Sequence, residues 1–198
     1  MDPNPERTPA RRASDRHGRH RNRQDASPAP AEIHQVALDI LARREHARRE
    51  LARRLRRRGF SREAIDAELN RLEGAGLVSD ERYARLFVRD RLAVNPQGRR
   101  RILGGLRAKG IGSDLAAAAI DEVYEERGIS ETEAAERLAR KRLSLMRDDD
   151  PVARRRRLAG YLARRGFAPE AVAAALRAAL GGESAASHPG HGEEGALE

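Results

Sequence analysis

The chain has 198 residues, of which 36 % are charged and only 3 % are aromatic, and its formal net charge is +9. The absence of cysteine excludes disulfide bonds and thiolate metal sites. No apolar run is long enough to cross a membrane, and the polar N-terminus does not resemble a secretory signal, so we expect a cytoplasmic protein without a membrane partner. Leucine and alanine supply most of the apolar content, and no segment alternates cleanly between apolar and polar residues. These features predict an all-α fold.

The two ends of the chain are predicted to be disordered and to carry opposite charges. Residues 1–31 are rich in proline and arginine and form a basic arm, whereas residues 181–198 contain carboxylates but no lysine or arginine and form an acidic tail. Between them, apolar periodicity and turn signals divide the chain into three units at residues 32–76, 77–128 and 129–180. Each unit is predicted to contain three helices, which gives three tandem three-helix repeats in an elongated, curved, modular protein.

The nine predicted helices follow one another with short connections. In chain order they cover about residues 32–43, 47–58 and 61–73, then 80–92, 96–109 and 113–127, and finally 131–146, 151–165 and 169–180. Their predicted N-caps are polar side chains at or next to the helix start. These caps are Ser61, Ser79 or Asp80, Asn95, Ser113, Ser130 in a capping box with Glu133, and Asp150 before Pro151. In the fourth helix, the side chains of Tyr83, Leu86 and Phe87 are predicted to face inward.

One short pattern occurs at the end of the second helix of each unit. It consists of a leucine, two further residues, a cation, a glycine and a large apolar residue. A basic side chain followed by glycine favours the end of a helix, because glycine adopts the left-handed conformation without a steric penalty. The glycines lie 51 and then 56 residues apart, which indicates a tandem repeat. The glycines and the apolar residues that follow them are Gly59 and Phe60, Gly110 and Ile111, and Gly166 and Phe167.

Positive charge is concentrated on the second helix of each unit, whereas the third helices are neutral or acidic. A genomic preference for arginine would not place the cations on the same helix every time, although a solvated charged face is an alternative explanation. If the units stack with a constant offset, the second helices form a basic stripe suited to an acidic protein surface or a nucleic acid. The predicted contact residues are Arg49, Arg53, Arg54, Arg57, Arg99, Arg100, Arg101, Lys109, Arg154, Arg155, Arg156, Arg157 and Arg164.

No group of polar residues has the composition of a catalytic or metal site. The six histidines are scattered along the chain, whereas a zinc site needs several converging ligands. The glycine pairs lack the Gly-Lys-Ser/Thr ending of a phosphate-binding loop. The consecutive carboxylates Asp148, Asp149 and Asp150 are explained by a helix end and the cap of the next helix. The sequence therefore predicts a protein that is not an enzyme and that has no metal, cofactor or small-molecule substrate.

The order and spacing of these motifs resemble those of the bacterial RecX family. The first unit contains Arg44, Glu50 and Leu51 before its Gly-Phe pair, and residues 76–84 read Gly-Leu-Val-Ser-Asp-Glu-Arg-Tyr-Ala. Later units carry Lys-Gly-Ile and Arg-Gly-Phe. The resemblance covers about residues 33–180 and leaves out both ends of the chain.

Within this resemblance, Asp80 and Tyr83 are matching residues of the second unit and two positions depart from the family pattern. The serine that is common before the first basic helix is Ala47 here, so Glu50 lacks its partner in a capping box. We therefore expect that helix start to be weaker by about 1 kcal/mol. The residue before Asp80, often acidic or an amide in the family, is Ser79, which still suits a helix cap.

The resemblance implies a non-catalytic regulator of the RecA recombinase. Such proteins bind RecA and its filament on single-stranded DNA and inhibit its ATPase, strand-exchange and co-protease activities, which modulates recombination, DNA repair and the SOS response. The partners implied are RecA and the RecA–single-stranded DNA filament, with weak non-specific DNA binding. The charge pattern also allows a sequence-independent DNA-binding module that acts without RecA, or a scaffold for another acidic protein. No long heptad seam is present, so a monomer is expected.

Overall fold

The computed structural model describes residues 30–93, 95–147 and 150–185. Within these ranges the chain forms nine α-helices and no β-strand, which confirms the predicted all-α fold. None of these helices combines the length and apolarity needed to span a bilayer. The predicted disordered arm and tail lie mainly outside the described residues. Where they overlap with these residues the chain is helical, because the first helix begins at Pro30 and the last continues to Ala185.

The first repeat consists of α1 (Pro30–Leu41), α2 (Arg48–Arg56) and α3 (Arg62–Gly74). Its three helices pack against one another around an apolar cluster of their own. Ser61 is the N-cap of α3, as predicted, because its Oγ accepts a hydrogen bond of 3.2 Å from Ala64 N.

The second repeat consists of α4 (Asp80–Ala93), α5 (Arg99–Lys109) and α6 (Ser113–Glu126), with both α4 and α5 packed on α6. The third consists of α7 (Glu131–Leu143), α8 (Pro151–Arg164) and α9 (Pro169–Ala185), with α7 and α8 packed on α9. The apolar cores of these two repeats merge into one cluster. The described chain is therefore a tandem series of three-helix repeats.

The predicted cap residues of the third repeat are confirmed. Ser130 and Glu133 form a capping box at the start of α7, in which each side chain accepts a hydrogen bond from the other residue's backbone N–H. Asp150 caps α8 by accepting hydrogen bonds from the backbone nitrogens of Val152 and Ala153 over 2.9 and 3.2 Å.

The repeated pattern has the conformation and burial that the sequence predicts. The φ angles of Gly59, Gly110 and Gly166 are +90°, +98° and +84°, which is the left-handed region that ends a helix. Two apolar side chains four residues apart on each middle helix face the core, and each stabilises the fold by about 1.5–3 kcal/mol through burial. These fully buried pairs are Leu51 and Leu55, Ile102 and Leu106, and Leu158 and Leu162. Phe60, Ile111 and Phe167 are also buried.

Three local predictions are wrong. The helix expected to start after Asn95 begins at Arg99, because Gly98 is extended and its N–H donates a 2.9 Å hydrogen bond to Arg165 O of the third repeat. Ser113 is not an N-cap but the first residue of α6, after an extended glycine. Leu86 is 41 % exposed, since the buried stripe of α4 runs through other positions. That stripe consists of Tyr83, Ala84, Val88 and Leu92.

Candidate partner-binding surface

A carboxylate of the second repeat caps the middle helix of the first. The N-cap of α2 is Ala47, which has no side-chain acceptor and is fully buried. Asp80 Oδ1, at the start of α4, instead accepts a 2.8 Å hydrogen bond from Arg48 N. The expected weakness of this helix start is therefore offset by the following repeat.

The same contact joins the second and third repeats. Gly98 at the N-cap of α5 also has no side chain, and Glu131 Oε1 at the start of α7 accepts a 2.9 Å hydrogen bond from Arg99 N. Donor and acceptor are 32 residues apart in both joints. A helix start leaves four backbone N–H groups without a partner inside the helix. The first helix of each following repeat thus supplies an acceptor for one of these groups in the preceding repeat.

Substituting Asp80 with alanine is expected to lower the free energy of unfolding by about 1 kcal/mol, the usual cost of removing a helix cap. Urea denaturation followed by circular dichroism measures this change. The matched control is Glu125→Ala, which removes an exposed carboxylate of α6 and should change stability by less than about 0.5 kcal/mol. Equal effects of the two substitutions would argue against a capping role for Asp80.

The pattern glycines Gly110 and Gly166 also lie at the joints between repeats. A Cβ atom at Gly166 would lie 2.5 Å from the Cβ and 2.6 Å from the backbone N of Arg101. A Cβ at Gly110 would overlap the side chain of Arg49, and one at Gly98 would overlap the carbonyl oxygen of Gly166. Gly110 and Gly166 are therefore required both for their positive φ angles and for the close approach of neighbouring repeats, whereas Gly98 is required only for the close approach.

Arginines of the middle helices cap the C-terminal end of the next middle helix. Arg53 Nη2 donates a 3.0 Å hydrogen bond to Ala108 O in the last turn of α5. Arg101 Nη1 donates a 3.0 Å hydrogen bond to Arg164 O at the end of α8. Carbonyl oxygens at these positions have no partner inside their own helix. Part of the predicted basic stripe therefore holds the repeats together.

Glu50 lies at the centre of an ionic cluster between the first two repeats. Its carboxylate accepts hydrogen bonds from Arg44 Nη2 over 2.6 Å and from Lys109 Nζ over 3.0 Å. Burial opposes ionisation, but the hydrogen bonds from Lys109 and Arg44 outweigh it and lower the pKa of Glu50 from 4.5 to about 2. His46 is buried beside this carboxylate, and its burial, together with the charge of Arg44, lowers its pKa from 6.5. The joint thus favours ionised Glu50 and neutral His46.

Acidification is expected to destabilise this joint. A group with a lowered folded-state pKa gives up protons more readily in the folded state, so its stabilising contribution is lost as the pH falls through that pKa. The loss begins below pH 6.5 for His46, and for Glu50 it extends from pH 4.5 down to about 2. Urea denaturation at a series of pH values should show falling stability, with a smaller change below pH 4.5 in Glu50→Gln. An identical pH dependence in the variant would contradict this assignment.

In the first two repeats, an arginine at the start of the middle helix is paired with the third helix. Arg48 Nη2 donates to Asn70 Oδ1 over 2.9 Å, and Arg99 Nη1 donates to Asp121 Oδ1 over 2.5 Å. The two pairs are equivalent, because both have a separation of 22 residues and both arginines precede the pattern glycine by 11 positions. The guanidinium group of Arg99 also lies 4.8 Å from the ring centroid of Tyr124.

The third repeat lacks the acceptor of this pair. Counting from Gly166, the equivalent positions are occupied by Arg155 and Arg177, so a cation stands where the other repeats have an amide or a carboxylate. Both side chains are exposed. The third repeat therefore keeps more positive charge at its surface than the two repeats before it.

A basic cleft of about 520 Å³ lies between the end of α7 and the middle of α8. The ring of Tyr161 forms part of its wall, and the guanidinium groups of Arg142 and Arg165 lie 5.2 and 5.4 Å from the ring centroid. None of the described lining residues carries a carboxylate. We call this feature the repeat-3 cleft, and its lining residues are Arg142, Leu145, Met146, Arg147, Arg156, Arg157, Gly160, Tyr161 and Arg164.

The structure divides the predicted contact residues into groups with different surroundings. Those at the joints are Arg49, Arg53, Arg101 and Lys109. Those near a carboxylate of their own repeat are Arg54, 3.7 Å from Glu50, and Arg99, 2.5 Å from Asp121. Arg156, Arg157 and Arg164 line the repeat-3 cleft. Arg57, Arg100 and Arg155 are exposed and Arg154 is half-buried. Contact of any of them with a partner stays a prediction.

The capping role of Glu131 and the contribution of α7 to the cleft were not predicted from the sequence. Glu131 follows Asp80 by 51 residues, the same interval that separates the first two pattern glycines. The repeat period therefore identifies Glu131 as the equivalent of Asp80. Arg142 and Arg147 lie outside the middle helices and were therefore not assigned to the basic stripe. In the part of the chain that the structure describes, no group of histidines and carboxylates is arranged to hold a metal ion.

Comparison with known proteins gives a consistent result. Family models for the first, second and third three-helix domains of RecX match residues 34–72, 79–120 and 130–176 in that order. The regulatory protein RecX of Amycolatopsis mediterranei is 38 % identical over 139 residues, which cover 70 % of this chain and 77 % of that protein. The regulatory protein RecX of Pseudomonas putida is 39 % identical over 138 residues, which cover 70 % of this chain and 85 % of that protein.

Solved structures show the same fold. The crystal structure of RecX from Lactobacillus salivarius matches with a TM-score of 0.66 at 22 % identity, over 76 % of this chain and 96 % of that one. A second crystal structure of a regulatory protein RecX matches with a TM-score of 0.62 over 72 % of this chain. With three matching domains in order and relatives above one-third identity, the chain belongs to the RecX family of regulatory proteins.

Proposed function

We propose that this chain regulates the RecA recombinase by binding RecA and its filament on single-stranded DNA. Binding inhibits the ATPase, strand-exchange and co-protease activities of RecA and thereby modulates recombination, DNA repair and the SOS response. The observation that carries this proposal is the match of all three repeats, in order, to RecX domains. The protein acts as a cytoplasmic monomer.

The action is by binding alone, without a cofactor or a chemical step. The described groups with the largest pKa shifts have structural explanations, which supports this view. Glu50 is held ionised by Lys109 and Arg44 at a joint between repeats. Burial raises the pKa of Tyr124 to about 12, which leaves its hydroxyl protonated beneath Arg99. Neither group has the environment of a catalytic acid or base that must exchange protons near neutral pH.

Co-sedimentation with RecA filaments tests the proposed partner directly. Filaments would be assembled on poly(dT) with a slowly hydrolysed ATP analogue, and the chain added at physiological salt. We expect it to sediment with the filaments and much less with poly(dT) alone, because phosphate contacts by themselves give weak binding at that salt concentration. Equal sedimentation with naked DNA would contradict RecA as the main partner.

The second candidate function is a sequence-independent DNA-binding module that acts without RecA. The repeat-3 cleft favours it, because five arginines are among its described lining residues, none of which carries a carboxylate, and arginines bind phosphate groups. The two functions differ in stoichiometry. A DNA-binding module suppresses RecA activity only when it covers the DNA, whereas a filament regulator acts at a small fraction of the RecA concentration.

A further inference from the structure

We propose that the repeat-3 cleft binds the phosphates of a single-stranded nucleic-acid segment. This inference rests on the proposed function, of which it specifies the nucleic-acid contact. It assigns that contact to one repeat, whereas the charge pattern of the sequence distributes it evenly over three.

The cleft occupies the face of α8 on which a following repeat would be placed. In the first joint this face belongs to α2, where Arg49 and Arg53 meet the end of α5. In the second joint it belongs to α5, where Arg101 meets the end of α8. Counting from the pattern glycines, Arg49 corresponds to Arg156 and Arg101 to Arg157, both of which line the cleft. No fourth repeat covers this face within the described chain.

This face is suited to oxygen acceptors. At both joints its cations and backbone donors meet oxygens of the following repeat. They are the carbonyl oxygens of Ala108 and Arg164 and the carboxylates of Asp80 and Glu131. On the third repeat Asp150 caps the helix start, and no following repeat within the described chain contacts the cations farther along α8. A ligand can therefore supply oxygens to these cations. A phosphate group offers several, and guanidinium groups bind it through paired hydrogen bonds.

The amount of positive charge favours a polyanion over a single carboxylate as the ligand of the cleft. Residues 140–165 contain ten lysines and arginines against three carboxylates, all three at residues 148–150. Among the lining residues Arg142, Arg147, Arg156 and Arg164 are exposed. The backbone of a nucleic acid is the common polyanion with closely and regularly spaced phosphates.

A single strand fits the shape of the cleft better than a duplex. Arg157, Tyr161 and Arg164 follow one another at helical spacing on α8, so an aromatic ring lies between two cations on one face. Gly160 lies in the same stripe, and because it has no side chain the guanidinium group of Arg164 lies against it, with Nη1 3.1 Å from the position of a Cβ. This alternation suits a strand whose phosphates contact the arginines while a base stacks near the ring, an arrangement common in single-strand binding.

The test measures the affinity for fluorescein-labelled oligothymidylate by fluorescence anisotropy, without RecA and over a range of salt concentrations. Two variants carry the same change in net charge. The cleft variant has Arg142→Gln, Arg156→Gln and Arg164→Gln. The control variant neutralises three exposed arginines of the first repeat, with Arg43→Gln, Arg58→Gln and Arg62→Gln. Circular dichroism and thermal melting check that both variants are folded.

We expect the cleft variant to lose at least about tenfold in affinity at moderate salt, and the slope of log K against log salt to fall by about 2. A decrease of about 2 is expected because each phosphate contact on a single strand contributes about 0.7 to the slope and the variant loses three such contacts. The control variant should keep the slope of the unsubstituted protein. A Tyr161→Leu substitution should weaken binding, and Tyr161→Phe should preserve it, because stacking needs only the ring.

Three results would overturn the inference. They are an unchanged slope in the cleft variant, an equal loss in both variants, or displacement of the oligonucleotide by polyglutamate as effectively as by unlabelled oligothymidylate. Binding to duplex DNA as tight as to the single strand would overturn the single-strand assignment. Because RecA is absent, a failure here is distinguishable from a failure of the proposed function, which is measured on RecA itself.

Discussion

Reversing the charge of Arg155, Arg156 and Arg157 is expected to abolish inhibition of the RecA ATPase while helicity stays unchanged. The three side chains are exposed on α8, so their replacement by glutamate removes no core contact. It places three negative charges on the surface where the third repeat has an excess of cations. Like charges facing each other across an interface cost several kcal/mol, which is enough to lower the affinity more than a hundredfold. RecA ATPase assays and far-UV circular dichroism measure the two quantities.

The control for this experiment is charge reversal at Arg43, Arg58 and Arg62, which changes the net charge of the protein equally. These exposed arginines belong to the first repeat and lie outside both the joints and the cleft. The control variant is expected to inhibit RecA nearly as well as the unsubstituted protein. Full inhibition by the α8 variant, or an equal loss in both, would contradict a specific role for the third repeat.

Gly166→Ala is expected to lower the free energy of unfolding by about 3 kcal/mol. One part of this loss, about 1–2 kcal/mol, arises because an alanine is strained at the φ angle of +84°. The remainder, about 1–3 kcal/mol, arises because the new Cβ would lie 2.5 Å from the Cβ of Arg101 and force the second and third repeats apart. Urea denaturation followed by circular dichroism measures the loss.

Gly59→Ala is the matched control, because Gly59 has a similar φ angle of +90° but a Cβ added there would meet no atom within 4 Å. It should lose only the conformational part, about 1–2 kcal/mol. The difference between the two substitutions isolates the contribution of the joint between repeats. Equal losses would show that the close approach at Gly166 does not contribute to stability.

The fold was predictable because it depends mainly on residues that are close to one another in the sequence. The pattern around Gly59, Gly110 and Gly166 contains the helix end, the turn and the buried leucine of each repeat, and its period reveals the tandem organisation. Caps formed by a residue next to its own helix, such as Ser61 and Asp150, were also predicted, since donor and acceptor are close in sequence.

Features that depend on contacts between repeats were not predictable in the same way. Ala47 and Gly98 suggest weak helix starts, yet Asp80 and Glu131 of the following repeats supply the missing acceptors. The start of α5 was misplaced for the same reason, because the N–H of Gly98 is held by the third repeat. In each case the partner is more than 30 residues away, beyond the range of local patterns.

The positive charge of the candidate surface was predicted from the sequence, but the different roles of its arginines were not. The sequence places cations on all three middle helices, and the structure shows that Arg53 and Arg101 hydrogen-bond to the next repeat. Arg157, the equivalent of Arg101, instead lines an open cleft together with Arg156, the equivalent of Arg49. Equivalent positions therefore differ in role, because only the last repeat has no successor in the described chain.

The most direct test of the regulatory function is the single-strand-dependent ATPase of the cognate RecA, titrated with this protein in the presence of excess DNA. The titration begins well below one molecule per RecA subunit. We expect a fall in hydrolysis at these low ratios, because a regulator bound to the filament affects many subunits. Hydrolysis that stays constant until the DNA itself is saturated would contradict this expectation and would identify the protein as a DNA binder that competes with RecA.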